Sequence, residues 1–286
     1  MALVHSMWTK PMLKKERGAE IKQQIETAVW CSASSVAYAK LNNETIHLYG
    51  DGLAKDLLSY LPYDEIKTLN VPDHIPTEFW AAGKFFALKD MNLGDIHIDG
   101  DVFLKTPRLM DEIKTGIKEN DLIVQSIENS WITLNSFYRR CWNVVQCNNI
   151  EFINGLNAEY SPAYNCGLVG FNNADFKKLY LESYFDSIKQ IYSNPDAMKM
   201  IRKDKKTWMD LLCEQQHLYN LAERTNAKVC NLLGEGKESY KKAIDVGYQH
   251  LLGTDKWNML DQIKLQLFHI NPGIYTDTCK KLANYL

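Results

Sequence analysis

The sequence predicts an α/β fold: a Rossmann-like, mostly parallel central sheet flanked by helices, with a more helical second half. Three observations predict it. Apolar strand-length segments alternate with helix-length ones through about the first 128 residues, and strands separated by helices of roughly 10–15 residues form parallel sheets covered on both faces. No internal repeat, low-complexity run or Pro/Gly/Ser-rich linker interrupts the alternation. A length of 286 residues suits one large α/β domain or two small ones. With no boundary visible, residues 1–286 read as one domain.

Taken in order, residues 2–7 are a short apolar strand, closed by Thr9-Lys10-Pro11. Residues 20–41 have helical composition and end at the turn pair Asn42-Asn43. Residues 45–49 are a strand broken by Gly50-Asp51-Gly52, and residues 53–61 a helix stopped by Pro62. A weak strand over 65–69, a helix over 78–89, a strand over 95–98, a helix over 108–117 and an apolar strand over 122–127 complete the first half. In the second half, residues 131–145 read as an aromatic amphipathic helix, with Trp131, Phe137, Tyr138 and Trp142 interleaved with Arg139 and Arg140. A strand at 167–171, helices over 174–192 and 206–224, and a strand at 227–232 follow. From about residue 257 a helical region runs on, broken at Asn271-Pro272-Gly273.

Composition narrows the function classes. The chain is 45% hydrophobic and 24% charged, which suits a globular protein with a sizeable core. Its formal charge, 33 − 35 = −2, gives no basic field for nucleic acid or anionic lipid. No stretch approaches the roughly 18 apolar residues of a membrane span. Residues 1–11 lack a basic-then-apolar leader pattern, so a cytoplasmic location is expected. The seven cysteines are odd in number, scattered and free of CxxC pairs, which favours buried thiols over a disulfide framework.

The most informative segment is Asp95-Ile-His-Ile-Asp-Gly-Asp-Val-Phe-Leu104. An apolar run leads into Asp99-Gly100-Asp101, and in a parallel sheet ligands collect at the carboxyl ends of strands. Two carboxylates one residue apart can turn toward one cation if Gly100 lets the backbone kink. Oxygen ligands of this kind suit Mn²⁺ or Mg²⁺ completed by substrate phosphates. Asp-Gly is also a common hairpin pair, so a polar turn between two paired strands stands as the alternative.

Four segments in the same order resemble the GT-A-fold glycosyltransferases of family 8, the class containing glycogenin and the bacterial lipopolysaccharide galactosyltransferases. Asp99-Gly100-Asp101 looks like the family's D-x-D, and Tyr164-Asn165-Cys166-Gly167-Leu168-Val169 like its F-N-[AS]-G-[VL]. Glu214-Gln215-Gln216-His-Leu-Tyr-Asn220 is similar to D-Q-D-x-L-N. His250-Leu-Leu-Gly253-Thr-Asp-Lys256-Trp257 is similar to H-[FY]-x-G-x-x-K-P-W, without the proline. The resemblance implies a nucleotide-binding half over about 1–128 and an acceptor-side half over about 129–286. It also implies Mn²⁺ (or Mg²⁺) held by Asp99, Asp101 and His250 and bridging the diphosphate of a nucleotide-sugar donor, with uridine diphosphate as the nucleotide. Lys256 and Gly253 would meet the leaving diphosphate. Asn165 and Gly167 would form a turn under the sugar, Glu214 would contact it, and Gln215 would sit near the anomeric carbon. An amide is a poor nucleophile, so Gln215 is expected to orient the sugar or stabilise oxocarbenium character, with front-side attack and retention. His5, Trp8 and Asp51 are expected at the base and ribose, Lys84 and Gly100 at the donor.

Saccharide, lipid-linked sugar, small molecule and peptide all fit as acceptor. Two other readings stay open: a non-catalytic carbohydrate or nucleotide-sugar binder on the same fold, and a sugar nucleotidyltransferase. The latter lacks its Gly-rich phosphate loop here, and no GxxxxGK[ST] occurs. No HExxH or histidine pair at i,i+4 supports a zinc enzyme.

Overall fold

The computed structural model describes residues 1–14, 18–128, 138–151, 162–204, 207–253 and 255–285. Its main sheet contains β1 (Leu3–Met7), β2 (Ile46–Gly50), β3 (Glu65–Thr68), β4 (Ile96–Ile98), β6 (Leu122–Glu128), β7 (Ala163–Phe171) and β8 (Val229–Asn231). A separate two-stranded sheet pairs β5 (Val102–Leu104) with β9 (Tyr248–His250). The main sheet runs β3-β2-β1-β4-β7-β6-β8. Only β7 opposes the common direction, antiparallel to both β4 and β6. A mixed α/β molecule with a mostly parallel seven-stranded sheet is therefore present, as the alternation of segments requires.

The period-2 alternation of side chains sorts the strands' apolar residues into two cores. Leu3, Ile46, Leu48, Ile96, Ile98 and Ile123 join one cluster; Val4, Tyr49, Leu122 and Val124 join the other. The first is roofed by helices Gly18–Leu41, Pro107–Glu119, Leu260–Ile270 and Pro272–Ala283, through residues such as Val36, Ile113, Leu267 and Leu282. The second is roofed by Ala82–Asp90, Arg139–Cys147, Ala174–Tyr192, Pro195–Lys203 and His217–Thr225, through Phe85, Val145, Tyr184, Ile201 and Leu218. Because both faces are covered, the central strands β1, β4 and β7 are buried over most of their length, their polar residues included.

Caps and prolines set several helix starts. Thr106 accepts from Leu109 N ahead of Pro107, Asn194 from Asp196 N and Ala197 N ahead of Pro195, and Asn271 from Ile274 N ahead of Pro272. Pro272 thus opens a helix as well as breaking one, because its fixed φ suits the first turn and its missing N–H costs nothing there. Helix Pro195–Lys203 carries the same signal and is absent from the sequence-based expectation, as are Lys10–Leu13, Gly236–Val246, β5 and β9.

Three expected elements need correction. The helix expected over 78–89 begins only at Ala82. The helix expected over 206–224 is divided into a π-helical turn, Leu211–Gln216, and an α-helix, His217–Thr225. The strand expected at 167–171 starts four residues earlier, at Ala163. Of the aromatic helix expected over 131–145, residues 131–137 lie outside the described residues; the described helix is Arg139–Cys147. No helix among the described residues is long and apolar enough to cross a membrane.

Candidate metal and donor site

The site lies where β4 ends and the chain leaves the main sheet. Asp99 N donates to Gly167 O of β7, and Val102 N folds back to Asp99 O, closing a tight turn over Asp99–Val102. The chain then enters β5, which belongs to the other sheet and pairs with β9 rather than with β4. The Asp-Gly-Asp segment is therefore a sheet-to-sheet crossover, and the hairpin alternative is overturned. The β5–β9 register sets Val102 opposite His250, and Leu251 N donates to Asp101 O. Asp101 and His250, far apart in sequence, are thereby brought together. Carboxylate oxygens of Asp99 and Asp101 and an imidazole nitrogen of His250 lie within 4.8 Å of one another.

Gly100 does not supply an unusual dihedral, since it is absent from the positive-φ residues. Its role is proximity: a Cβ there would come within 3.0 Å of Ser32 Oγ. Gly253 does hold a left-handed conformation, φ +55°, which disfavours any side chain.

Two ammonium groups clamp the carboxylates. Lys84, at the start of helix Ala82–Asp90, contacts Asp99 Oδ1 at 2.8 Å and Glu214 Oε1 at 2.7 Å, and donates to Cys166 O at 3.0 Å. These three acceptors use all three of its donors. Lys84 is buried, which alone would lower its pKa, yet Asp99 and Glu214 raise it. Lys256 donates to Asp101 Oδ2 at 2.5 Å, and its pKa is likewise raised against burial by Asp101. Burial pushes Asp101 upward, but Lys256 and His250 outweigh it and hold the carboxyl below its usual range.

The donor set suits a hard or borderline divalent cation: two carboxylates and one imidazole. His250 Nε2 stands 3.5 Å from Asp101 Oδ1, long for a hydrogen bond and suited to two ligands sharing one ion. The other ring nitrogen, Nδ1, is 2.8 Å from Gln125 Oε1. Metal-ligating histidines commonly donate that second N–H to a fixed acceptor.

The floor of the site is β7, not a turn as expected for Asn165-Cys166-Gly167. Pairing with β6 passes from Val124↔Val169 to Ser126↔Asn165, so Gln125 alone opposes Cys166, Gly167 and Leu168. Bulges of this kind re-aim side chains beside functional sites. Asn165 stabilises this one: its Oδ1 accepts from Gly167 N at 3.0 Å, and its Nδ2 donates to Glu128 Oε1 at 2.8 Å. Burial raises the Glu128 pKa, with the Asn165 bond opposing.

Glu214 and Gln215 lie on the π-helical turn, a rare feature often found at functional sites. Glu214 is buried, its pKa raised by burial against the pull of Lys84, and its Oε2 has no hydrogen-bond partner. Gln215 Oε1 accepts from Tyr138 at 2.8 Å. Asp210 ties this turn to the helix bearing Lys84 by accepting from Ala81 N at 2.9 Å, and to helix Ala174–Tyr192 by accepting from Tyr184 OH at 2.9 Å; burial pushes its pKa up to about 7.

His5 and Asp51, expected on the nucleotide side, make their hydrogen bonds to other parts of the fold. His5 is 2% exposed, and both ring nitrogens are engaged, by Tyr63 OH at 2.8 Å and Ser35 Oγ at 3.0 Å; burial lowers its pKa to about 4. It is an internal strut with no free ring nitrogen for a ligand. Asp51 caps helix Gly52–Leu58 through Ala54 N and accepts from the Thr9 backbone and hydroxyl. Trp8, Asp51 and Gly52 line an open cleft of about 420 Å³ with Thr68, Asn70 and Asp73, beyond the ends of β1, β2 and β3.

Gln125, Glu128, Tyr138, Asp210 and Tyr248 were not among the sequence-derived candidates. None carries a motif; each is identified by a contact across distant elements. Asp95, beside the motif, accepts from Ala2 N and Asn92 Nδ2 and so anchors the chain start. Four of the cysteines are buried and Cys230 is intermediate, whereas Cys147 and Cys279 are exposed.

No curated protein matches the chain by sequence. Among solved structures, it is similar to the galactosyltransferase LgtC in complex with donor and acceptor sugar analogues. Identity is 12% over 80% of this chain and 72% of that one, with a TM-score of 0.37. It is also similar to apo mouse xyloside xylosyltransferase 1, at 11% identity, 86% and 81% coverage and a TM-score of 0.32. A family model matches nearly the entire sequence, residues 1–281. The chain accordingly belongs to DUF6734, a family of unknown function.

Proposed function

We propose that the protein is a metal-dependent glycosyltransferase of GT-A type that moves a hexose-type sugar from a uridine diphosphate donor to an acceptor, with retention. The observation that carries this reading is the group Asp99, Asp101 and His250, flanked by Lys84 and Lys256, at the carboxyl end of β4. Its four motif segments, distant in sequence, meet around that one point.

In this reading Asp99, Asp101 and His250 hold Mn²⁺ or Mg²⁺. The cation stabilises the charge that grows on the leaving nucleoside diphosphate. Lys256, the more exposed of the two ammonium groups, adds a second positive charge for that diphosphate. Gly253, with no Cβ to exclude it, lets the backbone approach. Lys84 bridges Asp99 and Glu214 and holds both side chains in place. Asn165, Glu214 and Gln215 form the sugar side; because Gln215 Oε1 is taken by Tyr138, its N–H groups remain to hold a sugar hydroxyl. The cleft lined by Trp8 and Asp51 receives the base.

Thermal unfolding with uridine, guanosine, cytidine and thymidine diphosphates, each with and without Mn²⁺, tests the donor site. One nucleotide should stabilise only with metal, by about 2.7 kcal/mol at a hundredfold excess over its Kd, or roughly 5–10 °C. Asp101→Ala should abolish the shift. Absence of any shift at millimolar nucleotide would remove the main support. Release of nucleoside diphosphate from a donor distinguishes an enzyme from a binder, and proton NMR of the product's anomeric linkage would sink the retaining assignment if it showed inversion.

A further inference from the structure

Gln125 is buried, at 7% exposure, and sits on β6 opposite the bulge of β7. Burying an amide is unfavourable unless its polar atoms are bonded, and an apolar side chain would fill this place more cheaply. Its Oε1 accepts from Tyr248 OH at 2.7 Å and faces His250 Nδ1 at 2.8 Å. In the structure the amide oxygen faces both groups: the Tyr248 hydroxyl donates to Oε1, and an oxygen can only accept, so the His250 contact is Nδ1–H donating to that same oxygen. Both lone pairs of the carbonyl are thus used.

Space around this bond is made by Gly167. A Cβ there would lie 2.4 Å from His250 Cε1, 2.5 Å from Nδ1 and 2.5 Å from Gln125 Oε1, separations that side chains cannot adopt. The bulge, the missing Cβ and the amide therefore serve one contact. A ring carrying its proton on Nδ1 presents a bare lone pair at Nε2, the atom facing Asp101.

We propose that Gln125 is a positioning residue that fixes His250 as its Nδ1–H tautomer and so turns Nε2, as an unprotonated donor, toward the cation site. This inference rests on the reading of Asp99, Asp101 and His250 as a metal centre.

The experiment uses the full chain and Mn²⁺ alone. Nitrogen–proton correlation NMR of the imidazoles, with His250 identified by its loss in His250→Ala, reads the tautomer without metal. Mn²⁺ titration, with free ion followed by its EPR signal, reads affinity without donor or turnover. The wild type should show Nδ1–H. Gln125→Leu should weaken Mn²⁺ binding by about 10–100-fold, the usual effect of losing such an outer partner. Gln125→Glu, which keeps an acceptor, should restore binding to within a few-fold. An Nε2–H ring in the wild type, or Mn²⁺ affinity unchanged in Gln125→Leu, would overturn the inference and spare the metal centre. An Nδ1–H ring in a wild-type chain that binds no Mn²⁺ would overturn the metal centre itself, leaving Gln125 to hold a structural histidine. The wild-type spectrum decides the tautomer even if Gln125→Leu does not fold.

Discussion

Two rims of the sheet offer the same sequence signal, polar residues following an apolar strand, and do different things with it. Within β1 and just past β2, His5 and Asp51 are engaged by the fold: one braces Tyr63 and Ser35, the other caps a helix and holds Thr9. At the end of β4, Asp99 and Asp101 gather with His250, Lys84 bridging Asp99 to Glu214 and Lys256 pairing with Asp101. Capping is locally favourable, by about 1 kcal/mol. Gathering buried charge is not, because desolvation can exceed the attraction regained. A cluster that folding alone would not favour is a stronger pointer to function than a polar residue with a satisfied partner.

The sharpest way to break this contrast is Lys84→Met. It leaves Asp99 and Glu214 without their shared counter-charge, and removing one partner of a buried pair costs about 3–5 kcal/mol. Urea unfolding should show that loss, and Mn²⁺-dependent nucleotide stabilisation should vanish with it. Retention of both would mean the lysine is a spectator.

Next come two of the buried histidines, His5 and His217. Burial lowers His217 to about 4, with Arg224 adding to the effect; His5 is lowered to the same value. As pH falls below about 6.5 the unfolded chain takes up protons that the folded chain refuses, so stability is lost between about pH 6.5 and 4. A shift from 6.5 to about 4 corresponds to about 3 kcal/mol for His217. His217→Leu should flatten that part of the stability-against-pH curve; an unchanged slope would refute the assignment. Neither nitrogen of His217 has a hydrogen-bond partner among the described residues, so the apolar variant breaks no bond there.

Asp51→Ala should cost about 1–2 kcal/mol through the lost cap, with only a small change in nucleotide affinity. A large fall in affinity at unchanged stability would show that Asp51 bonds the nucleotide directly rather than only shaping the cleft. Trp8→Ala should weaken nucleotide binding about two- to thirteenfold, the roughly 0.5–1.5 kcal/mol of one aromatic stacking contact, as read by titration calorimetry. No change would place the base elsewhere.

Much of the fold was legible because the strands alternate or run apolar over their full length. Helix Ala174–Tyr192 matches its expected bounds, and β1, β2, β4 and β6 differ by one or two residues. Elements without a local signal were not. β5 and β9 are three residues each, too short to show a period, and exist because they pair. The π-helical turn under Glu214 and Gln215 reads as ordinary helix in composition; only the packing of Asp210 and Tyr180 around it sets its geometry. Asn165 appears as a turn residue in sequence, yet its amide is spent bridging a bulge to Glu128.

The sequence by itself determined the α/β class, because hydrophobic period is local, and it marked Asp99, Asp101 and His250, because spacing within a motif is local too. Only the tertiary structure decided that these three meet, that two lysines clamp the carboxylates and that Gln125 holds the imidazole. Those facts depend on strand register and on a bulge, and register is set by the packing of whole sheets rather than by any segment alone.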